Sequence, residues 1–174
     1  MVSYFNSVSA ELKDWKKALL VLVFTVARII YGWSWAGSGL HKLAWFSDGK
    51  LNSVGKIGTL VKNIAGPEVK SFDPLYINKA FGWIAQNIFA GMPAVTDVLV
   101  VSFEILVGLA IILGFRIFWA ALIATFLNLQ FLAGASFNNF GYIWTNLAFA
   151  KFSKYVEFIG LDGFLRFKKN KELL

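Results

Sequence analysis

Cysteine is absent from this chain, so structural disulfides, iron–sulfur ligation and a thiol relay to a quinone are excluded for the polypeptide acting alone. Histidine occurs once, at His41. A haem held by two histidines of the chain is therefore impossible, and no metal or haem site is expected from this chain by itself. Charge is scarce as well, at 16% of residues, whereas 57% are hydrophobic and 17% aromatic. With a mean hydropathy of +0.62, this balance describes a polytopic all-α membrane protein rather than a soluble domain. The formal charge is +7, but the basic residues sit mostly beside apolar stretches and form no separate basic domain. Anionic lipid or an anionic substrate is the expected partner, and nucleic acid is not. No internal repeat, low-complexity tract or second domain is visible, so residues 1–174 read as one membrane domain.

A membrane crossing needs about 20 apolar residues at about 1.5 Å each. By that measure the spans fall at Lys17–Leu40, Ala94–Phe115, Ile117–Ala133 and Phe140–Phe164, a four-helix transmembrane bundle. The last is the weakest, because Lys151, Lys154 and Glu157 interrupt it. The first run is too long for the apolar region of a secretion signal and reads as a retained anchor. Only Gly114–Arg116 separates the second span from the third, which predicts an antiparallel hairpin with its turn at the membrane surface. Lys13, Lys16, Lys17, Arg116, Arg166, Lys168, Lys169 and Lys171 then lie on one side. The short loop Gly134–Asn139 on the other side carries no charge, so both termini are expected in the cytoplasm of a multi-pass plasma-membrane protein.

The outer loop, His41–Pro93, is too long to be a mere connector. Within it, Ile77, Ala80, Phe81, Ile84, Ala85, Ile88 and Phe89 recur at helical spacing, opposite Asn78, Lys79, Gln86 and Asn87. That pattern predicts an amphipathic helix over Tyr76–Phe89, lying in the outer interface with Trp83 at headgroup depth. Asp73-Pro74 and Gly91-Met92-Pro93 bound it as breakers. The stretch Leu51–Ala65 has spaced apolar residues, but Gly55 and Gly58 weaken a helix there.

Ionisable and amide groups inside spans are costly and usually face a bundle interior. Arg28, Glu104 and Asn128 lie near the middles of the first three spans and are expected to meet at one level. Asn146 and Lys151 fall in the fourth. One reading of Arg28 and Glu104 is a buried ion pair that fixes helix register; another adds a proton path or a polar wall for a bound headgroup. Lys154 and Glu157 are expected to snorkel to cytoplasmic water, and Lys151 stays open. Gly32, Ala36 and Gly39 allow close helix approach, and Trp33, Trp35 and Trp45 fit an interfacial belt. His41 reads either as an ordinary wet interface residue or as a proton-exchanging group.

The pattern of Arg28, Gly32, Gly39 and Lys42-Leu43, followed by Glu104-Ile105-Leu106-Val107-Gly108, Leu113-Gly114 and Arg116, resembles the DoxX/DoxD family of small four-span membrane proteins. The ending Gly160-Leu161-Asp162-Gly163 is similar to that family's closing segment, so the likeness covers about Lys17–Leu165. The nearest likeness is to the larger membrane subunits of archaeal thiosulfate:quinone oxidoreductases. This resemblance implies oxidation of two thiosulfates to tetrathionate, with electrons passed to a membrane quinone of the caldariella type, alongside a smaller DoxA-like subunit. The alternative within the same family is a noncatalytic accessory subunit of a terminal quinol oxidase in a respiratory chain. Under the first reading Arg28, Glu104, His41 and Lys42 are the candidate catalytic residues, with His41 and Lys42 forming a basic outer mouth for the thiosulfate dianion. A quinone needs an apolar, aromatic slot with a few polar groups at its headgroup. Phe103, Trp119, Asn128 and Trp144 are the candidates for it, with packing or lipid contact as the ordinary alternative for the aromatics.

Overall fold

The structure, a computed structural model, describes residues 3–46, 77–134, 136 and 138–170. Among these residues the regular structure is entirely helical. The proposed segment Leu51–Ala65 and the Asp73-Pro74 breaker lie outside the described residues.

Helix α1, Tyr4–Glu11, starts where the Ser3 side chain accepts the Asn6 N–H. Helix α2, Trp15–Lys42, starts at Asp14, whose carboxylate accepts the Lys16 N–H at 3.0 Å. Both are side-chain N-caps that satisfy backbone donors orphaned at a helix start. A 3-10 turn, Leu43–Phe46, closes α2. Helix α3, Ile77–Ile84, runs into a π-helical turn over Ala85–Phe89. Helix α4, Pro93–Leu113, opens with proline in its first turn, where no intrahelical N–H is needed. Helix α5 is Ile117–Ala133, and three shorter helices follow: α6 at Asn139–Lys151, α7 at Ser153–Glu157 and α8 at Leu161–Asn170.

Two of these elements are long and apolar enough to cross a membrane: the continuous helical run Trp15–Phe46 and Pro93–Leu113, with mean hydropathies of 1.7 and 2.3. Helix α5 is apolar but has only 17 residues. The expected fourth span is broken: helix α6 ends at Lys151 and the chain restarts at Ser153 and again at Leu161. Lys151, Lys154 and Glu157 therefore do not share one continuous helix face.

Helices α2 and α4 pack backbone to backbone. A methyl group on Gly108 would lie 2.3 Å from the Ala36 nitrogen, and one on Gly32 would lie 2.8 Å from the Gly108 carbonyl oxygen. Small residues at Gly32 and Ala36 thus do what their spacing predicts. Helix α3 packs on α5, with Phe81 and Phe89 both set edge-on to Phe126 at ring separations of 6.0 and 6.4 Å.

The α4–α5 hairpin turns at Gly114, which adopts φ +64°, and Arg116, at φ +50°. The closing segment holds this turn. Asp162 donates its N–H to the Gly114 carbonyl at 3.1 Å and accepts the Arg116 N–H at 2.7 Å. Glu157, expected in cytoplasmic water, is instead buried: it accepts the Ile117 N–H at 3.2 Å and pairs with Arg166 at 2.8 Å. Its carboxylate caps the first turn of α5, where orphan donors favour an anion. Tyr4 donates to the Phe158 carbonyl at 3.1 Å and stacks edge-on with Phe164. The N-terminal helix, the hairpin turn and helix α8 accordingly meet at one end of the helical assembly.

Candidate functional site

Arg28 and Glu104 do not meet, which corrects the expected pair. Helix α2 has 28 residues and overshoots the hairpin. Arg28 therefore lies beside the turn: its Nη2 donates to the Ile159 carbonyl, and a methyl group on Gly160 would fall 2.7 Å from its Nη1. Glu104 lies opposite Gly39, since a methyl group there would be 3.1 Å from the Glu104 Cβ. Eleven residues of helix separate Arg28 from Gly39, which is about 16 Å along the axis.

The partner of Glu104 is Lys42. Its Nζ lies 2.6 Å from both carboxylate oxygens and 2.7 Å from the Ser38 hydroxyl, to which it donates. Ser38 in turn donates to Glu104 Oε1 at 3.5 Å. Ser38 and Lys42 stand one helical turn apart on α2, so both reach the same carboxylate. The Glu104 side chain is 2% exposed and that of Lys42 is 21% exposed. The pair is therefore sealed on the acid side and open on the base side. The aromatic rings of Phe131 and Trp45 flank the ammonium at 5.8 and 5.9 Å, within cation–π range.

Two cavities share Lys42, Phe131 and Gly134 in their walls. The larger, about 780 Å³, lies among α4, α5 and the π-helical turn. Phe89, Phe103, Trp119, Phe126 and Phe131 give it an aromatic wall, and Thr96, Asp97, Gln130 and Lys42 are its polar points. The Thr96 hydroxyl is engaged by the Phe89 and Met92 carbonyls, each at 3.0 Å. Gln130 is different: it is buried, yet neither its amide nitrogen nor its amide oxygen makes a hydrogen bond among the described residues. A buried polar group without a partner is rare and marks a place where a ligand or water completes the bonding.

The smaller cavity, about 360 Å³, is polar. Tyr31, Ser34, Ser38, Glu104, Asn128, Ser136, Asn139 and Tyr142 line it. Among the described residues the side chain of buried Asn128 makes no well-formed hydrogen bond, its contact with the Tyr31 phenol falling short of one. The Tyr31 hydroxyl donates instead to Asn146 at 2.7 Å.

The expected site residues thus separate. Phe103 and Trp119 line the large cavity, Asn128 and Glu104 line the small one, and Lys42 belongs to both. Arg28, His41 and Trp144 line neither of these two. His41 and Trp144 are exposed, Trp144 at 64%. Lys151 is exposed beside the Phe152 ring. Asp97 went unremarked in the sequence, although it lies seven residues before Glu104 and hence on the same face of α4, two turns away. That spacing was the available signal.

No protein-family model, curated protein or solved structure matches this chain. The likeness to the DoxX/DoxD family accordingly rests on the residues quoted for it.

Proposed function

We propose that this chain is a multi-pass membrane subunit of a thiosulfate:quinone oxidoreductase, and that its cavity between α4 and α5 receives the quinone. The observation that carries the quinone half is the large cavity itself. Its volume falls in the range of small-molecule sites, about 300–1,000 Å³, and it combines an aromatic wall with a few convergent polar groups. The unpartnered amide of Gln130 is what a quinone carbonyl would complete. Helix α5 is about 26 Å long at the usual helical rise, close to the hydrocarbon thickness. It makes a third crossing beside the two longer helices, with α6 as a partial fourth and α3 at the outer interface. The end that gathers both termini and the basic turn faces the cytoplasm in this reading.

A quinone accepts two electrons and two protons, and this chain supplies the setting for that chemistry. Phe103, Trp119 and Phe126 exclude water from the ring, Gln130 orients a carbonyl oxygen, and Lys42 places a proton donor at the inner edge. The sulfur half is assigned to the smaller DoxA-like partner and to the outer-loop lysines Lys50, Lys56, Lys62 and Lys70. Lys42 itself has no spare charge for a dianion, because Glu104 already neutralises it.

The test is thiosulfate-dependent reduction of decylubiquinone by the complex purified through this chain. Loss of reduction in Gln130→Leu and Phe103→Ala, with the complex still assembled, supports the reading. A purified complex that oxidises quinol but never reduces quinone with thiosulfate would overturn it in favour of an accessory subunit of a terminal oxidase.

A further inference from the structure

The second cavity has no role in holding a quinone ring. It is polar where the first is apolar, and the two meet at Lys42, the charged side chain common to both walls. Resting on the quinone reading, we propose that the smaller cavity is a water-filled proton inlet and that Lys42 hands protons from it to the large cavity.

Three observations point to water there. The cavity, at about 360 Å³, has room for several waters, each of which needs two to four polar partners. Asn128, only 1% exposed, supplies an amide whose contact with the Tyr31 phenol falls short of a good hydrogen bond, so that donor and acceptor capacity is left over. The Tyr142 hydroxyl also lines the cavity, and those of Ser34, Ser38 and Tyr31, whose protons go to Ile30, Glu104 and Asn146, keep acceptor lone pairs for water. An apolar ligand would leave the Asn128 amide unsatisfied, at a cost that hydrogen-bonded water removes.

The charges favour protons over ions as cargo. Glu104 from α4 is paired with Lys42, the phenols of Tyr31 and Tyr142 line the small cavity with it, and Asp97 lines the large one. Lys42 and Glu104 cancel, so the inlet offers neither an anion nor a cation a net counter-charge. In the transfer, a Lys42 N–H bond breaks as an O–H bond forms on the reduced headgroup. A proton entering from bulk solvent along the inlet waters then restores the ammonium, an O–H bond of hydronium breaking as the N–H bond forms and water being left behind. A second round delivers the second proton of the quinol, and Glu104 holds the ammonium in place. The two electrons come from the two thiosulfates oxidised in the proposed reaction, one from each. Ser38 is a positioning residue: among the described residues its side-chain hydrogen bonds are to Lys42 and Glu104.

The absence of cysteine gives a clean background for the test. Ser38→Cys, Tyr142→Cys and the lipid-facing control Leu106→Cys would be placed in proteoliposomes of the full chain and exposed to a charged, membrane-impermeant methanethiosulfonate. The first two should react at least tenfold faster than the third. Decylubiquinone quenching of tryptophan fluorescence, measured on the same samples, reports the quinone site separately. In the assembled complex, Lys42→Gln and Ser38→Ala should lower kcat about tenfold or more and about threefold, respectively, with KM for quinone unchanged. Cysteines at 38 and 142 that react no faster than the one at 106 would overturn the inlet even where quenching persists. Unaltered kcat in both Lys42→Gln and Ser38→Ala would do the same. Reactive cysteines without quenching would leave the inlet wet but remove the quinone reading on which its function depends.

Discussion

Arg28 and Glu104 are both charged residues set inside apolar helices and both more than nine-tenths buried, yet their surroundings differ completely. Arg28 is enclosed by the glycine backbones of the hairpin turn and the closing segment, and it lines neither of the two cavities. Glu104 has a cation, a hydroxyl and a polar cavity around it. The contrast teaches that burial of a charge in a span does not by itself identify a working site. What sets Glu104 apart is a wall shared with space that a second molecule can enter. One end of this bundle uses its charge to lock a turn, and the other keeps its charge beside two cavities.

The largest effect should come from separating the Lys42–Glu104 pair. Lys42→Met strands a buried carboxylate and is expected to cost about 3–5 kcal/mol, read as a fall in the thermal midpoint in detergent. The double variant Lys42→Met/Glu104→Leu should recover most of that stability, because a buried pair and an apolar replacement are often nearly equivalent. It should not recover quinone reduction. A double variant that is fully active would reduce the pair to a structural feature like Arg28.

The turn end provides the opposite case. Gly114→Ala imposes a left-handed conformation on a side chain, costing about 1–2 kcal/mol. The new methyl would also fall 1.8 Å from Arg28 Nη1, adding an overpacking cost of about 1–3 kcal/mol. Stability should drop while quinone quenching of the remaining folded protein stays at the wild-type level. Weakened quenching would mean that the two ends are coupled.

Much of this division is hidden in a linear reading, and the reason is stagger. Much of helix placement is encoded locally: the apolar runs, the breakers Pro93 and Gly114 and the helical spacing of Phe81, Ala85 and Phe89 placed α2, α3, α4 and α5 within a few residues of where they lie. The close approach at Gly32 and Ala36 was equally legible, because small residues at that spacing have few other uses in a span. Depth is not local. Placing Arg28 opposite Glu104 assumed that spans one and two share a midpoint, whereas α2 extends past the turn by half its length. Glu104 and Lys42 were each recognisable as candidates, but their pairing depends on that offset. Glu157 was misplaced for a similar reason, since its attachment to the start of α5 requires the break at Phe152, which no proline or glycine marks.

Gln130 sharpens the comparison further. A buried amide with no partner costs about 1–3 kcal/mol, so Gln130→Leu should raise the thermal midpoint. The same change should weaken decylubiquinone binding about tenfold, or about 1.4 kcal/mol. Opposite signs for stability and binding at one residue are characteristic of a site maintained for a ligand. A variant that is both less stable and unchanged in binding would remove Gln130 from the site.

The smallest expected effect belongs to the turn end. Tyr4→Phe loses one hydrogen bond to the Phe158 carbonyl, about 1 kcal/mol. Burial pushes the Tyr4 phenol above its usual value, and the positive charge of Arg28 draws it partly back. The folded state thus holds this proton more tightly than the unfolded chain. Its contribution is full below the ordinary phenol range and is lost as pH rises through the raised folded value. The phenylalanine variant should lack that alkaline dependence in a pH series of thermal midpoints, with quinone binding untouched.

The proposed quinone position is the cavity between α4 and α5. Photolabelling with an azido-quinone, followed by peptide mapping of the membrane-embedded full chain, tests it most directly. Label should concentrate on the peptides bearing Phe103 and Trp119–Phe131, and excess decylubiquinone should displace it. Label on the exposed Trp144, on the turn around Arg28 and Gly114, or spread over the lipid-facing surface without displacement would contradict the claim.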